Sequence, residues 1–125
     1  MKVCLVLDAG TCVVPEEELY HGKEGEGAAR LLVWLNRLII QQAKPFCWAV
    51  KIQLPKCCGE WDSWAQRAIC VHAIKTGVPV VSEIPEGMRI VNTSQVEGIP
   101  EEEGIRSPLD FAALVAYSVR AAAGN

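Results

Sequence analysis

The apolar run Val3–Leu7 stops abruptly at Asp8-Ala9-Gly10-Thr11. Five consecutive apolar residues bounded by a charge and a glycine read as a strand buried on both faces, which is the signature of a parallel sheet rather than of a half-solvated antiparallel one. The carboxylate and the turn then fall at the carboxyl end of that strand, where open α/β sheets place their ligands. A chain of 125 residues, half of them apolar, is long enough to bury a core as one domain spanning 1–125.

The rest of the chain alternates helix and strand patterns. Ala28, Leu31, Leu32, Leu35, Leu38 and Ile39 recur at helical spacing and predict a helix from Ala28 to about Gln42. A second strand is expected from Phe46 to about Gln53, closed by Leu54-Pro55. Ser63 with Gln66 reads as a capping box opening a second helix, which Lys75-Thr76-Gly77 ends with a cation and a left-handed cap. Val78–Val81 predicts a further strand, Met88–Val91 a short one, and Asn92 to Arg106 a polar loop. Ser107-Pro108-Leu109-Asp110 opens the last helix with a cap, a proline at the first helical position and an early acid. Thr11–Val14 reads as a short strand and Glu16–Gly27 as a polar loop. The expected fold is an α/β sandwich with a central mixed or parallel sheet flanked by helices. The alternative is a small Rossmann-like three-layer sheet.

Charge and cysteine usage narrow the function. The net charge of −3 opposes a generally basic nucleic-acid coat, although Arg30–Lys75 holds seven basic residues against Glu60 and Asp62 alone. Arg30, Arg37 and Lys44, spaced by seven, fit the solvent face of the first helix. No apolar run reaches the 18 or so residues of a membrane span, and the N-terminal one is too short for a secretory signal, so a soluble, cytoplasmic protein is expected. Cys4, Cys47 and Cys70 fall in apolar patterns as buried thiols. The adjacent Cys57 and Cys58 lie in a turn, a setting in which cysteines take up metal or oxidise, and no paired C-x-x-C accompanies them.

Leu5-Val6-Leu7-Asp8-Ala9-Gly10-Thr11, together with a closing helix that opens Asp110-Phe111-Ala112-Ala113-Leu114, resembles the RuvC-like branch of the ribonuclease H-like superfamily, the branch of Holliday-junction resolvases. Leu54-Pro55 after the second strand is similar to the YqgF-like group of that branch. The resemblance implies a ribonuclease H-like fold and two-metal phosphodiester cleavage, with Asp8 and Asp110 as ligands of Mg²⁺ or Mn²⁺ and structured DNA or RNA as substrate. Gly10 and Thr11 would lie against phosphate. Lys51 stands where the family carries a glutamate and Ser107 where it commonly carries a second acid, so Glu83, at the carboxyl end of Val78–Val81, becomes the candidate third acid.

From the residues themselves, Lys51 and Lys56 are candidates for phosphate contact, and Trp61, beside Glu60 and Asp62, for stacking on a base. Lysine in place of the glutamate favours a degenerate relative that binds without cutting. The competing expectation is a non-catalytic α/β binding or adaptor module acting through protein contacts, with a second copy of the chain among its partners.

Overall fold

The computed structural model describes residues 1–9, 25–96 and 108–124. Strand β1 (Val3–Leu7) is followed by helix α1 (Glu26–Ala43) and strand β2 (Ala49–Ile52). Helix α2 (Asp62–Lys75), strand β3 (Arg89–Asn92) and helix α3 (Pro108–Gly124) complete the order. A 3₁₀ turn at Gly59–Trp61 leads into α2, and another at Thr93–Gln95 leaves β3. The protein is α/β, and its described strands form a parallel sheet in the order β2-β1-β3.

β1 is the central strand because it alone carries enough apolar surface for both faces, and all five of its residues are buried. Side-chain alternation directs Val3, Leu5 and Leu7 into a core shared with Leu32, Leu35 and Ile39 of α1, Ile69 of α2, and Phe111 and Val115 of α3. Cys4 and Val6 occupy the other face and are buried as well. Each fully buried Leu, Ile or Phe side chain here contributes about 1.5–3 kcal/mol relative to exposure. α1 packs against both α2 and α3, its exposed stripe carries Arg30 and Arg37 as their spacing predicts, and Lys44 is exposed at the residue that caps its end. Among the described residues no helix is long and apolar enough to cross a membrane.

Two expectations are corrected in detail, and a third is met by a strand shifted one residue. Val78–Val81 shrinks to one parallel bridge, Val50 with Val80, because the segment contributes only the Pro79 carbonyl and the Val81 N–H to β2. Met88–Val91 instead anticipates a full sheet member, β3, which ends one residue later at Asn92. The Ser63 capping box does not form. The chain enters α2 from the 3₁₀ turn with Trp61 already in the helical region, whereas a capping residue needs extended backbone. Asp62 turns back instead and accepts the backbone N–H groups of Cys57 and Cys58 through Oδ1, at 3.2 and 2.9 Å.

The end of α2 follows the sequence. Gly77 is left-handed at φ 85°, its N–H donates to the Ile74 carbonyl at 3.1 Å, and the Val78 N–H donates to that of Ala73 at 3.0 Å. This is the Schellman pattern. At the start of α1, Gly25 is also left-handed, at φ 83°, and a Cβ there would overlap the Cys58 carbonyl oxygen. Thr11–Val14, the cap Ser107 and residues 97–106 of the expected loop lie outside the described residues.

Gly25→Ala therefore combines left-handed strain with a backbone collision. A loss of more than about 1 kcal/mol in urea unfolding is expected, whereas Gly87→Ala, with open space around it, loses less despite its similar φ.

Candidate functional site

β1 stops hydrogen-bonding as a strand at Leu7, which leaves the amides of Asp8 and Ala9 needing partners at the carboxyl edge of the sheet. Both donate to Thr93 Oγ1, at 2.9 and 3.0 Å. The same hydroxyl donates to Asp8 Oδ1 at 3.1 Å, so Thr93, although buried, has its polar atom fully used. The register explains the meeting. Val6 pairs with Asn92, so the residues just beyond each strand end, Asp8 on β1 and Thr93–Ser94 on β3, lie side by side.

Asp8 is the focus of the edge. Its Oδ1 accepts from the Thr93 hydroxyl and the Ser94 backbone N–H (2.9 Å), and its Oδ2 from Asn92 Nδ2 (3.0 Å) and Ser94 Oγ (2.8 Å). A carboxylate offers about four lone-pair positions, and here four donors from three consecutive residues occupy them. Partial burial pushes the carboxyl upward, but the Ser94 N–H, the Ser94 hydroxyl, the Asn92 amide and the Thr93 hydroxyl together outweigh it and hold Asp8 below the usual carboxylate range.

The hydrogen bonds at Asp8 come from Asn92, Thr93 and Ser94, and the other sequence candidates stand on separate elements. Glu83 and Lys56 are exposed in loops. Asp110 is exposed in the first turn of α3, where an acid favours the helix dipole. Lys51 pairs in register with Val6, on the face of the sheet that also carries Cys4, whose thiol feels its positive charge while burial pushes that thiol up. Trp61 is half-buried and meets Trp64 edge to face at 5.7 Å between ring centroids, and its buried Nε1 has no hydrogen-bond partner among the described residues. Among the described residues no group of three or more His, Cys, Asp or Glu is placed to hold a metal ion. Gly10 and Thr11 lie outside the described residues.

A divalent cation at Asp8 would have to displace donors already in place, each worth about 1.5–3 kcal/mol to a charged acceptor. The residues that sequence reasoning missed are Asn92, Thr93 and Ser94. Their signal is present but faint: three polar side chains follow Ile90-Val91 directly, at the level of the sheet where Asp8 follows β1. No family model, curated protein or solved structure matches this chain.

Thr93→Val keeps the shape and removes one acceptor and one donor, leaving two backbone N–H groups without a partner. A loss of about 2–4 kcal/mol is expected in chemical unfolding, while Thr93→Ser retains most of the stability. Because the folded carboxyl of Asp8 titrates below its unfolded value of about 3.9, its stabilisation is complete above that pH and is lost as pH falls through the lower, folded value. In Thr93→Val the folded value rises toward the unfolded one, and acid unfolding begins at a higher pH.

Proposed function

We propose that this chain is a non-catalytic α/β binding module that works through protein contacts, with Asp8 serving as an internal fastener and not as a metal ligand. The observation that carries the reading is the saturation of the Asp8 carboxylate by Asn92, Thr93 and Ser94. A nuclease of the ribonuclease H-like kind needs carboxylate lone pairs free for two cations about 4 Å apart. Lysine at position 51, where the family has a glutamate, supports the same reading.

The surface supplies the second support. Trp34, Trp48, Trp64 and Tyr117 are exposed, and aromatic side chains together with arginine are enriched at the centres of protein interfaces. On α1, Arg30 and Trp34 are neighbours one turn apart, and the Arg30 guanidinium lies over the Trp64 ring of α2 at 5.6 Å. Glu26 holds Arg30 from the preceding turn at 3.1 Å. The Lys2 ammonium sits 5.0 Å from the centre of the Trp48 ring. Aromatic area presented beside fixed cations suits a partner that offers apolar side chains with acids at their margin.

Asp8→Asn separates the two roles. As a fastener, Asp8 loses acceptor capacity toward two of its four donors, and the variant unfolds with about 2–4 kcal/mol less stability. A vacant metal ligand would lose little, because removing one acid from a metal-free cluster relieves repulsion. Alongside, the unmodified chain is incubated with Mn²⁺ and labelled single-stranded, duplex and four-way-junction DNA. The expected result is no cleavage, and cleavage that disappears in a stably folded Asp8→Asn protein would restore the two-metal nuclease. DNA binding without cleavage, falling steeply with salt, would favour the degenerate nucleic-acid-binding relative instead.

A further inference from the structure

Cys57 and Cys58 lie between β2 and the 3₁₀ turn that leads into α2. Both of their backbone N–H groups donate to the same atom, Asp62 Oδ1, and this shared acceptor curls the dipeptide. The two Sγ atoms consequently lie 3.7 Å apart. Cys57 is exposed and Cys58 is buried, with the glycine at the start of α1 packed against the Cys58 backbone. A cleft of about 540 Å³, lined by Gly25, Cys57, Cys58, Gly59 and Glu60, opens beside the pair.

Two chemistries are available to adjacent thiols, and geometry separates them. A disulfide requires sulfurs about 2.05 Å apart on Cα atoms usually 4.4–6.8 Å apart, whereas sequence neighbours across a trans peptide are fixed at about 3.8 Å. Oxidation therefore draws the sulfurs far from their observed separation and strains the backbone. Bridging by a single soft atom does neither. Two bonds of about 2.3 Å meeting at a tetrahedral angle set the sulfurs roughly 3.8 Å apart, close to what is observed, and a more pyramidal centre asks for a few tenths of an ångström less.

Donor number selects the occupant. Among the described residues no third Cys, His, Asp or Glu joins the pair, so the described part of the site offers two sulfurs. A trivalent centre that carries one substituent of its own is completed by two thiols. We infer that Cys57 and Cys58 form a chelating dithiol site for thiophilic trivalent arsenic, with a monosubstituted arsenic(III) compound as its simplest occupant.

The reaction balances without an oxidant. An arsenic oxide R–As=O and two thiols give R–As(S)₂ and one water: two As–S bonds form, the bonding between arsenic and oxygen is broken, both S–H protons leave on that oxygen, and arsenic stays trivalent. The exposed Cys57 attacks first. Cys58 closes the ring as a thiol, since burial, the neighbouring Cys57 sulfur and the Asp62 charge push it up to about 12, and its proton departs with the oxygen. The site is independent of Asp8 and of the reading proposed for it.

Phenylarsine oxide is the probe, added to the full reduced chain. Intact mass is expected to rise by one phenylarsine oxide less one water, with one equivalent bound, reversed by 2,3-dimercaptopropanol and resistant to excess glutathione. Cys57→Ser, an exposed and conservative change, should weaken binding about a hundredfold or more, because the second sulfur acts through its effective concentration. Cys70→Ser should bind as the parent does. The inference is overturned if Cys57→Ser binds as tightly as the parent, if peptide mapping places the adduct on Cys4, Cys12, Cys47 or Cys70, or if air oxidation converts the pair to a disulfide that excludes the probe.

Discussion

The hydrogen-bonded join between Asp8 and the segment Asn92–Ser94 is the interaction on which the carboxyl edge of the sheet depends. β3 is short, only four residues, and two of these are exposed, so its own apolar burial gives it little hold on β1. What fixes its end is a set of polar contacts in both directions: the Thr93 hydroxyl receives the two amides that follow β1, and the Asp8 carboxylate receives four donors from β3 and the turn after it. The partners are 84–86 residues apart in sequence. Such contacts close a long loop whose ordering entropy must be offset, and a charged acceptor with a full complement of donors is well suited to doing so.

That completeness also bears on function. An acid at the end of a central parallel strand is the ordinary position for chemistry in α/β proteins, and in isolation Asp8 reads that way. The same lone pairs cannot both fasten β3 and ligate a cation. On the reading proposed above they belong to the fold, and the functional weight moves outward to exposed aromatics such as Trp34 and Trp64 and to the dithiol at Cys57 and Cys58.

Much of the architecture is legible in the sequence. Val3–Leu7 reads as a doubly buried strand, and the first helix and the Gly77 terminus stand where periodicity and turn chemistry put them, because each rests on local physics. Legibility fails where a residue's role depends on something distant. Val78–Val81 has the composition of a strand, yet only Val80 bridges, since what it gains depends on reaching Val50. Ser63-x-x-Gln66 has the spelling of a capping box, but the approaching chain arrives already helical. Asn92-Thr93-Ser94 reads as the start of a loop, and only the parallel register beside Val6 turns it into the partner of Asp8. The candidate site was thus half visible: its acid by motif, its donors not at all.

The most direct measurement is a ¹³C NMR observation of the Asp8 side-chain carboxyl in the folded chain, through an acid titration and then with substoichiometric Mn²⁺. The account predicts a folded titration midpoint below that of an ordinary aspartate, and no selective paramagnetic broadening of Asp8, Thr93 or Ser94. A normal or raised midpoint, with Mn²⁺ erasing the Asp8 signal before those of other surface acids, would contradict it and show that the carboxylate is held for a metal.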